Sequence, residues 1–525
     1  MNADTLIQSL PEVDGAIRRS ADGRVVAAVP RTAFAVVAAR LHRERELPLD
    51  LLFATDDRAA DGSFGVHAVF ALDLTHEWIE IVTRVPADDP RYPSLTPVVM
   101  AAHWYERSVN DMFGVAAEGH PDLRRLVHHE NVPAGTHPLR KDFEWNTRLG
   151  RAQEPFPLGR VEGEGVFQIP VGPIHAGIIE PGHFRFNVAG ERIITLEGKL
   201  FFTHKGVEKL LEGRTPAEAL PLVERVSGDA AASHALAFCQ AVEAIGGCDP
   251  PETARTARVL MVELERFTMH LHDLANICGM GTGYTTMAAN GFRIVERLRR
   301  LSARLVGNRF FRGLIVPGGV AGLPAPAALN DVDRTVGEAW TEAERLVRMG
   351  LESDTLRDRL ETTGVLARDA AWAYGAKGVA ARASGIGRDS RRDHPHAAYG
   401  ALPCHVSTRT EGDVFARVML RIDEMSHAVE LLRAATSACR DGGASGASAA
   451  PCAPTDGDAL GWCEGWRGQV LDWVRLVGGR IDRAVVRDPS FCNWPLFGEL
   501  GPGNIVPDFP LCNKSLNLSY SGTDL

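Results

Sequence analysis

The chain has 525 residues, 45% of them hydrophobic, with a formal net charge of -10 and an isoelectric point near 6.0. That balance excludes a general nucleic-acid binder, which needs a basic face, and supplies enough apolar residues for more than one core. No run of about 18 uncharged apolar residues is present to span a bilayer, and the N-terminal stretch lacks the basic and apolar regions of a signal peptide. The expectation is a cytoplasmic chain that reaches a membrane only through partners.

The nine cysteines (Cys239, Cys248, Cys278, Cys404, Cys439, Cys452, Cys463, Cys492 and Cys512) include no C-x-x-C. An odd, scattered set reads as reduced thiols, and it argues against an iron–sulfur cluster held by this chain alone.

Residues 1–146 read as a small α+β domain. Strands are expected at 25–29, 51–55, 66–72 and 78–84, with a helix at 31–42. A second helix, 104–112, carries Glu106, Arg107 and Asp111 beside Trp104 and Phe113 and ends at Gly114. The stretch 103–143, with E-R-x-x-x-D-M-F-G at its core and H-P-L-R-K-D near its close, resembles the signature of the thirty-kilodalton subunit of respiratory complex I.

A linker, 147–161, precedes a second domain, 162–525. It opens with Gly172-Pro173-Ile174-His175 and Glu180-Pro181-Gly182-His183, then a hairpin whose strands, 184–188 and 192–196, flank Ala189-Gly190-Glu191. His204-Lys205-Gly206-Val207-Glu208-Lys209 follows. A helix-borne glutamate near a buried polar site can be tuned as a proton relay, and Glu208 equally suits an ion pair with Lys205 or Lys209.

The stretch 224–243 joins a polar loop to an apolar helix. Ser227, Gly228 and Asp229 suit a helix start, Arg225 lies in front, and His234 sits in the first turns. By chemistry alone a histidine there is more often a satisfied core residue than a ligand. The frame R-V-x-G-x-x-x-x-x-H-x-L-A resembles the first active-site motif of [NiFe]-hydrogenase large subunits and the matching helix in the quinone-site subunit of complex I. The hydrogenase pattern is R-x-C-G-x-C, whose thiolates hold nickel and iron; here those positions are Ser227 and Ala230. The second ligand motif, D-P-C-x-x-C, is matched to Asp488-Pro489-Ser490-Phe491-Cys492-Asn493, which puts Ser490 and Asn493 at ligand positions and Cys492 one residue out of register. A hydroxyl, a methyl group and an amide cannot build a soft-thiolate site.

Beyond 252 long helices are expected at 253–278, 286–306, 326–353, 356–366 and 412–439. His270 and His272, two apart, fall on different faces and make poor joint ligands. The Arg-rich 297–304 run reads as a solvated or subunit-facing surface. Loops at 316–319, at 382–385 with Asp389 and Arg391, and at 409–413 resemble signatures of the same family, their Arg and Asp residues expected to orient loops at the site or at a docking face. Residues 441–457 are low-complexity and read as a flexible excursion. Trp462 to Gly468 matches a family-like W-x-E-x-x-R-G, and the Pro- and Gly-rich end of the chain reads as an ordered extension. Gly279 to Gly283 follows a helix rather than a strand and fails the dinucleotide context, so NADH, if used, belongs to another subunit.

The fold implied is α+β: a complex-I 30-kDa-type domain followed by a mainly helical hydrogenase-like domain. The His175 and His183 loop resembles that of the membrane-bound, formate-hydrogenlyase type. The resemblance implies a hydrogenase-4-like or complex-I-like oxidoreductase subunit on the inner face of the membrane. Its partners would be a small [4Fe–4S] subunit, antiporter-like membrane subunits and other complex-I-like peripheral subunits. It implies catalytic roles for Glu208, Arg225, Asp229, His234 and Arg382, and places His175, His183 and Gly228 at a quinone pocket, Gly228 standing where complex I has a quinone-binding tyrosine. A quinone-site subunit and a catalytically silent scaffold are the alternatives; nickel chemistry is not expected.

Overall fold

The computed structural model describes residues 2–13, 15–176, 179–442, 448–453 and 455–525. Its first part is a five-stranded sheet in the spatial order Ile17–Arg19, Val25–Ala28, Glu77–Pro86, Ser63–Leu72, Leu49–Asp56. Val25–Ala28 and Glu77–Pro86 run parallel and the other pairs antiparallel. Helix His103–Phe113 packs on Leu49–Asp56 and ends at Gly114, whose φ of 68° is the left-handed turn that glycine adopts without penalty. Every residue of Leu49–Asp56 is buried, where a half-exposed strand would alternate, because its other face meets the second part of the molecule. Phe53 lies 4.8 Å from Trp473, and one apolar core continues from Phe53 through Leu471 and Trp494 to Phe509.

Charges also cross that boundary under cover. Arg24, 1% exposed, is ringed by Asp22, Glu80 and Asp458, and Asp50 is paired with Lys377 and Arg388.

The linker carries no regular structure but is laid along the surface, Ala152 and Glu154 donating to the carbonyls of Asn131 and Glu130. The second part begins with the antiparallel strands Val166–Val171, His183–Ala189 and Arg192–Lys199. Four long helices, Glu252–Asn276, Thr285–Val306, Pro326–Leu351 and Val414–Asp441, then pack as a bundle. A fifth, Ala231–Gly246, lies against a three-stranded antiparallel sheet, Gly457–Gly465, Gly468–Val477 and Arg480–Arg487. Helix and sheet are so close that a Cβ at Gly461 would stand 1.9 Å from the Ala237 carbonyl oxygen.

Several expectations are corrected. The sheet 457–487 was not foreseen. The helix expected at 356–366 is only Asp354–Leu360; Thr362 and Gly364 then take positive φ, and Leu366 turns back to bond the Gly412 carbonyl. In the 441–457 segment, Ala449 bridges to Gly319 and Val320 donates to the Ser448 carbonyl, so its described part is anchored; 443–447 and 454 lie outside the described residues. Cys452 is joined to Cys248 in a disulfide, against the expectation of uniformly reduced thiols. The Arg-rich run does present a solvated face, Arg300 and Arg304 being exposed, with surface ion pairs from Arg297 to Glu342 at 2.8 Å and Arg304 to Asp331 at 2.7 Å. Among the described residues no helix is long and apolar enough to cross a membrane.

Candidate functional site

The helix Ala231–Gly246 starts differently from its sequence reading. Its N-cap is Ala230, which offers no side-chain oxygen. The free N–H groups of Ala232 and Ser233 are taken instead by Glu265 of the neighbouring helix, at 2.9 and 3.2 Å. Burial pushes the Glu265 carboxyl up to about 7. Released from capping, Asp229 accepts both Nη groups of Arg467, at 2.7 and 2.8 Å, and that guanidinium stacks on Trp466.

Ser227, fully buried, shares hydrogen bonds with Asp229 (3.0 Å) and with Ser519 (2.9 Å). Ser519 comes from the far end of the chain, where it caps the short helix Tyr520–Asp524. Its backbone N–H donates to the Ser490 hydroxyl at 2.9 Å, so Ser490 stands behind Ser519 rather than against Ser227. Asn493 is elsewhere: its side chain accepts from Lys377 N at 2.9 Å and donates to Lys377 O at 3.2 Å. The residue that meets Ser227 is therefore Ser519, with Ser490 behind it and Asn493 turned to Lys377. A Cβ at Gly522 would lie 2.9 Å from the Ser519 hydroxyl and 2.8 Å from the Asp488 carboxyl carbon. Ala230 is packed against Met269 and Trp466. Cys492 lies 3.4 Å from the Tyr105 hydroxyl.

His234 and Asp488, both fully buried, are joined at 3.0 Å, and the other Asp488 oxygen accepts from Ser490 N at 2.8 Å, capping the helix Pro489–Asn493. Burial opposes charge on both. For Asp488 it is outweighed by the hydrogen bond and charge of His234 and by Arg467, which hold the carboxyl down to about 2. His234 is raised by Asp488, with Asp472 and Glu265 adding. It is thus held as the buried hydrogen-bond partner of that carboxylate.

Glu208 opens the short helix Val207–Leu211 beside the edge strand Arg480–Arg487. It accepts from Arg483 at 2.9 Å and from Val486 N at 3.1 Å, whereas Lys209 turns to Glu212 and Lys205 to the Ser521 carbonyl, so neither expected lysine is its partner. Burial raises its carboxyl despite Arg483. Two cavities of about 70 and 50 Å³ flank it, one lined by Tyr105, Phe113 and Phe491, the other by His204, Lys209 and Asp524. Each exceeds the roughly 15 Å³ that one water needs.

The remaining candidates fall apart spatially. Arg225 is exposed and donates to the Pro221 carbonyl; Gly228 is exposed near Arg312. Arg382 lies not in a loop but in the last turn of the short helix Gly378–Ala383, where it is locked among Glu424, Glu464 and Asp389 and ties that helix to the helix Val414–Asp441 and the strand Gly457–Gly465. His175 is half-buried, 3.5 Å from the Tyr520 hydroxyl, and His183 bonds the Gly172 carbonyl at 3.3 Å; part of their loop, 177–178, lies outside the described residues. Nor do the charges of helix His103–Phe113 form a docking face. Glu106 accepts from Ser94, Leu95 and Thr96, Arg107 donates to the Arg124 and Arg125 carbonyls, and Asp111 accepts from the N–H groups of Leu126, Val127 and His128. They are buried clamps on two loops. Among the described residues no group of three or more His, Cys, Asp or Glu is arranged to hold a metal ion.

A complex-I-type α+β domain fused to a hydrogenase-like helical region defines the class. Residues 27–149 match the family of the 30 Kd subunit of respiratory-chain NADH dehydrogenase, 205–277 that of nickel-dependent hydrogenase, and 281–456 that of the 49 Kd subunit of respiratory-chain NADH dehydrogenase. The chain is 34% identical to hydrogenase-4 component G of Escherichia coli (strain K12), covering 91% of itself and 83% of that protein. It is 33% identical to formate hydrogenlyase subunit 5 of the same organism, over 91% and 84%. It belongs to the family of these two large subunits. In fold it is similar to a chain of an archaeal membrane-bound sulfane sulfur reductase, with a TM-score of 0.65 and 24% identity over 69% of this chain and 99% of the other.

Proposed function

We propose that the chain is the large subunit of a membrane-anchored, complex-I-like respiratory oxidoreductase, cytoplasmic and held to the inner face of the membrane through its partners. It docks a small [4Fe–4S] subunit and acts in electron and proton transfer without nickel chemistry. The observation that carries the last point is the Ser227–Ser519 hydrogen bond at the centre of the hydrogenase-like frame. Nickel bound through this family's motif needs soft thiolates. Ser227 and Ser519 give two hydroxyls bonded to each other and Ala230 brings no donor, so the group does not fit and no step is derived through it. What remains is proton chemistry: Glu208, raised and flanked by cavities, and the buried His234–Asp488 pair.

The test is purification of the assembly from its native host, with metal analysis and a hydrogen-dependent dye-reduction assay. We expect a retained iron–sulfur partner, no stoichiometric nickel and no hydrogen-dependent reduction. Nickel together with hydrogen-dependent reduction, or a well-behaved monomer under mild conditions, would overturn the reading. The contact of His175 with Tyr520 supports a second reading, a quinone-site subunit. Burial pushes the Tyr520 phenol further up from its ordinary value, so it stays a neutral hydrogen-bond donor to a carbonyl. Quinone reduction by the same preparation separates the two.

A further inference from the structure

We propose that Asp472 and His234 form a second proton-holding site, in which one exchangeable proton is shared between a carboxylate and an imidazole nitrogen sealed between a helix and a sheet. The site is separate from Glu208, and it stands on this chain's own residues whether or not the assembly carries nickel.

The fold sets the two on facing elements, near enough for their charges to interact but without a direct hydrogen bond. Gly461 of the strand Gly457–Gly465 faces the helix Ala231–Gly246, since its Cβ would point at the Ala237 carbonyl. Asp472 is the register partner of Gly461, and residues directly opposite in an antiparallel pair share a face, so Asp472 faces the same helix. His234 precedes Ala237 by three residues and shares its helical face. Both side chains are fully buried.

Each also has an unmet need. His234 spends Nε2 on Asp488 and leaves Nδ1 without a partner; neither oxygen of Asp472 has one. Buried polar groups are nearly always satisfied, so orphans on facing elements call for an explanation. Their chemistry is complementary. With one proton between them, either protonated Asp472 stands beside neutral His234, or ionised Asp472 beside an imidazolium. In both forms Nε2–H donates to Asp488. Releasing that proton to a base in solvent leaves ionised Asp472 and neutral His234, adding one negative charge to the site and changing no other bond.

The surroundings set the working range. Burial pushes the Asp472 carboxyl up to about 7, with His234 and Arg487 pulling it down and Glu208 and Asp488 adding upward pressure. His234 also faces Glu265 from the helix Glu252–Asn276.

The experiment uses the full chain, isotope-labelled at the aspartate carboxyls so that their bands shift away from that of Glu265, and follows the shifted protonated carboxyl bands by infrared difference spectroscopy through a pH titration. Wild type should show a band lost on passing through neutrality. Asp472→Asn should remove that band and spare the one from Asp524, a buried carboxyl near 6. His234→Gln removes the cation that pulls Asp472 down, so the band should persist to higher pH. Should Asp472→Asn prove misfolded by circular dichroism, the His234→Gln titration decides alone. A neutral-range band undiminished in a folded Asp472→Asn chain, or an unmoved midpoint in His234→Gln, overturns the proposal.

Discussion

Asp488→Asn keeps the shape of the side chain and removes its charge. An Asn oxygen still caps the helix Pro489–Asn493 through Ser490 N, so the loss falls on the link to His234. Two routes give its size. Asp488 sits at about 2 in the folded chain against about 3.9 unfolded, and at about 1.4 kcal/mol per unit this is worth about 2.5 kcal/mol. A charge-assisted hydrogen bond contributes about 1.5–3 kcal/mol. For 525 residues at about 2.1 cal/mol/K each, that loss lowers the melting temperature by about 2 °C.

The sign with pH differs for the two partners. The Asp488 carboxyl is depressed, so its contribution is present above about pH 4 and is lost as pH falls through about 2. His234 is raised, so its contribution is full below about pH 6.5 and is lost as pH rises past its folded value. The gap between wild type and Asp488→Asn should therefore be widest between about pH 4 and 6.5 and close below pH 3. Thermal melts of both chains across that range provide the check. A gap of the same width at pH 3 and pH 6 would refute the ion-pair reasoning.

Three further outcomes are expected. Arg24→Met strands Asp22, Glu80 and Asp458 without their cation and should cost about 3–5 kcal/mol by denaturant unfolding, because breaking a buried ion pair leaves uncompensated charge; a loss under about 1 kcal/mol would show that the cluster relaxes. Gly461→Val forces side-chain atoms onto the Ala237 backbone, which cannot swing aside as a side chain can, and should cost at least about 1–3 kcal/mol in the same assay. Glu208→Gln keeps an acceptor for Val486 N but no titratable proton, so turnover of the assembled complex should fall about 100-fold with little change in melting temperature; unchanged turnover would leave Glu208 a structural partner of Arg483.

Much of this architecture is legible in the residues because it is local. The 30-kDa-type signature announces its helix and the glycine that ends it, and the long helices were placed to within a few residues at most ends. Failures came where a long-range partner decides. Asp488-Pro489-Ser490 attracted attention as a ligand motif, yet an Asp at N-cap with Pro at N1 is also an ordinary way to begin a helix, and that is its use here. The residue that meets Ser227 is the plainer Ser519, which no motif in the sequence marks. Likewise Ser227 to Asp229 have capping chemistry, but Glu265 from the next helix supplies the cap. The sheet 457–487 hid because its strands are buried on both faces, which erases the alternation that marks a strand.

The C-terminal segment is tied to the hydrogenase-like frame by the chain's own hydrogen bonds. In a thiolate site the ion would tie the loop before Ala231–Gly246 to the C-terminal segment. Here that tie is made of hydrogen bonds, beginning with Ser227 to Ser519. Arg467, already paired with Asp229, donates to the Asn517 carbonyl at 2.6 Å, and the Asn517 amide reaches Asp273. Ser521 donates its N–H to Glu180 and its hydroxyl to the Val226 carbonyl. Asp524 accepts from the N–H groups of Phe201 and Thr203 and from the Thr203 hydroxyl. Each bond adds only about 1 kcal/mol, but these contacts fix residues 517–524 from several sides. Ala230 leaves no void, since Met269 and Trp466 pack against it. Cross-braced in this way, the site holds its shape through the chain's own contacts, which is what the metal-free proton chemistry proposed above requires.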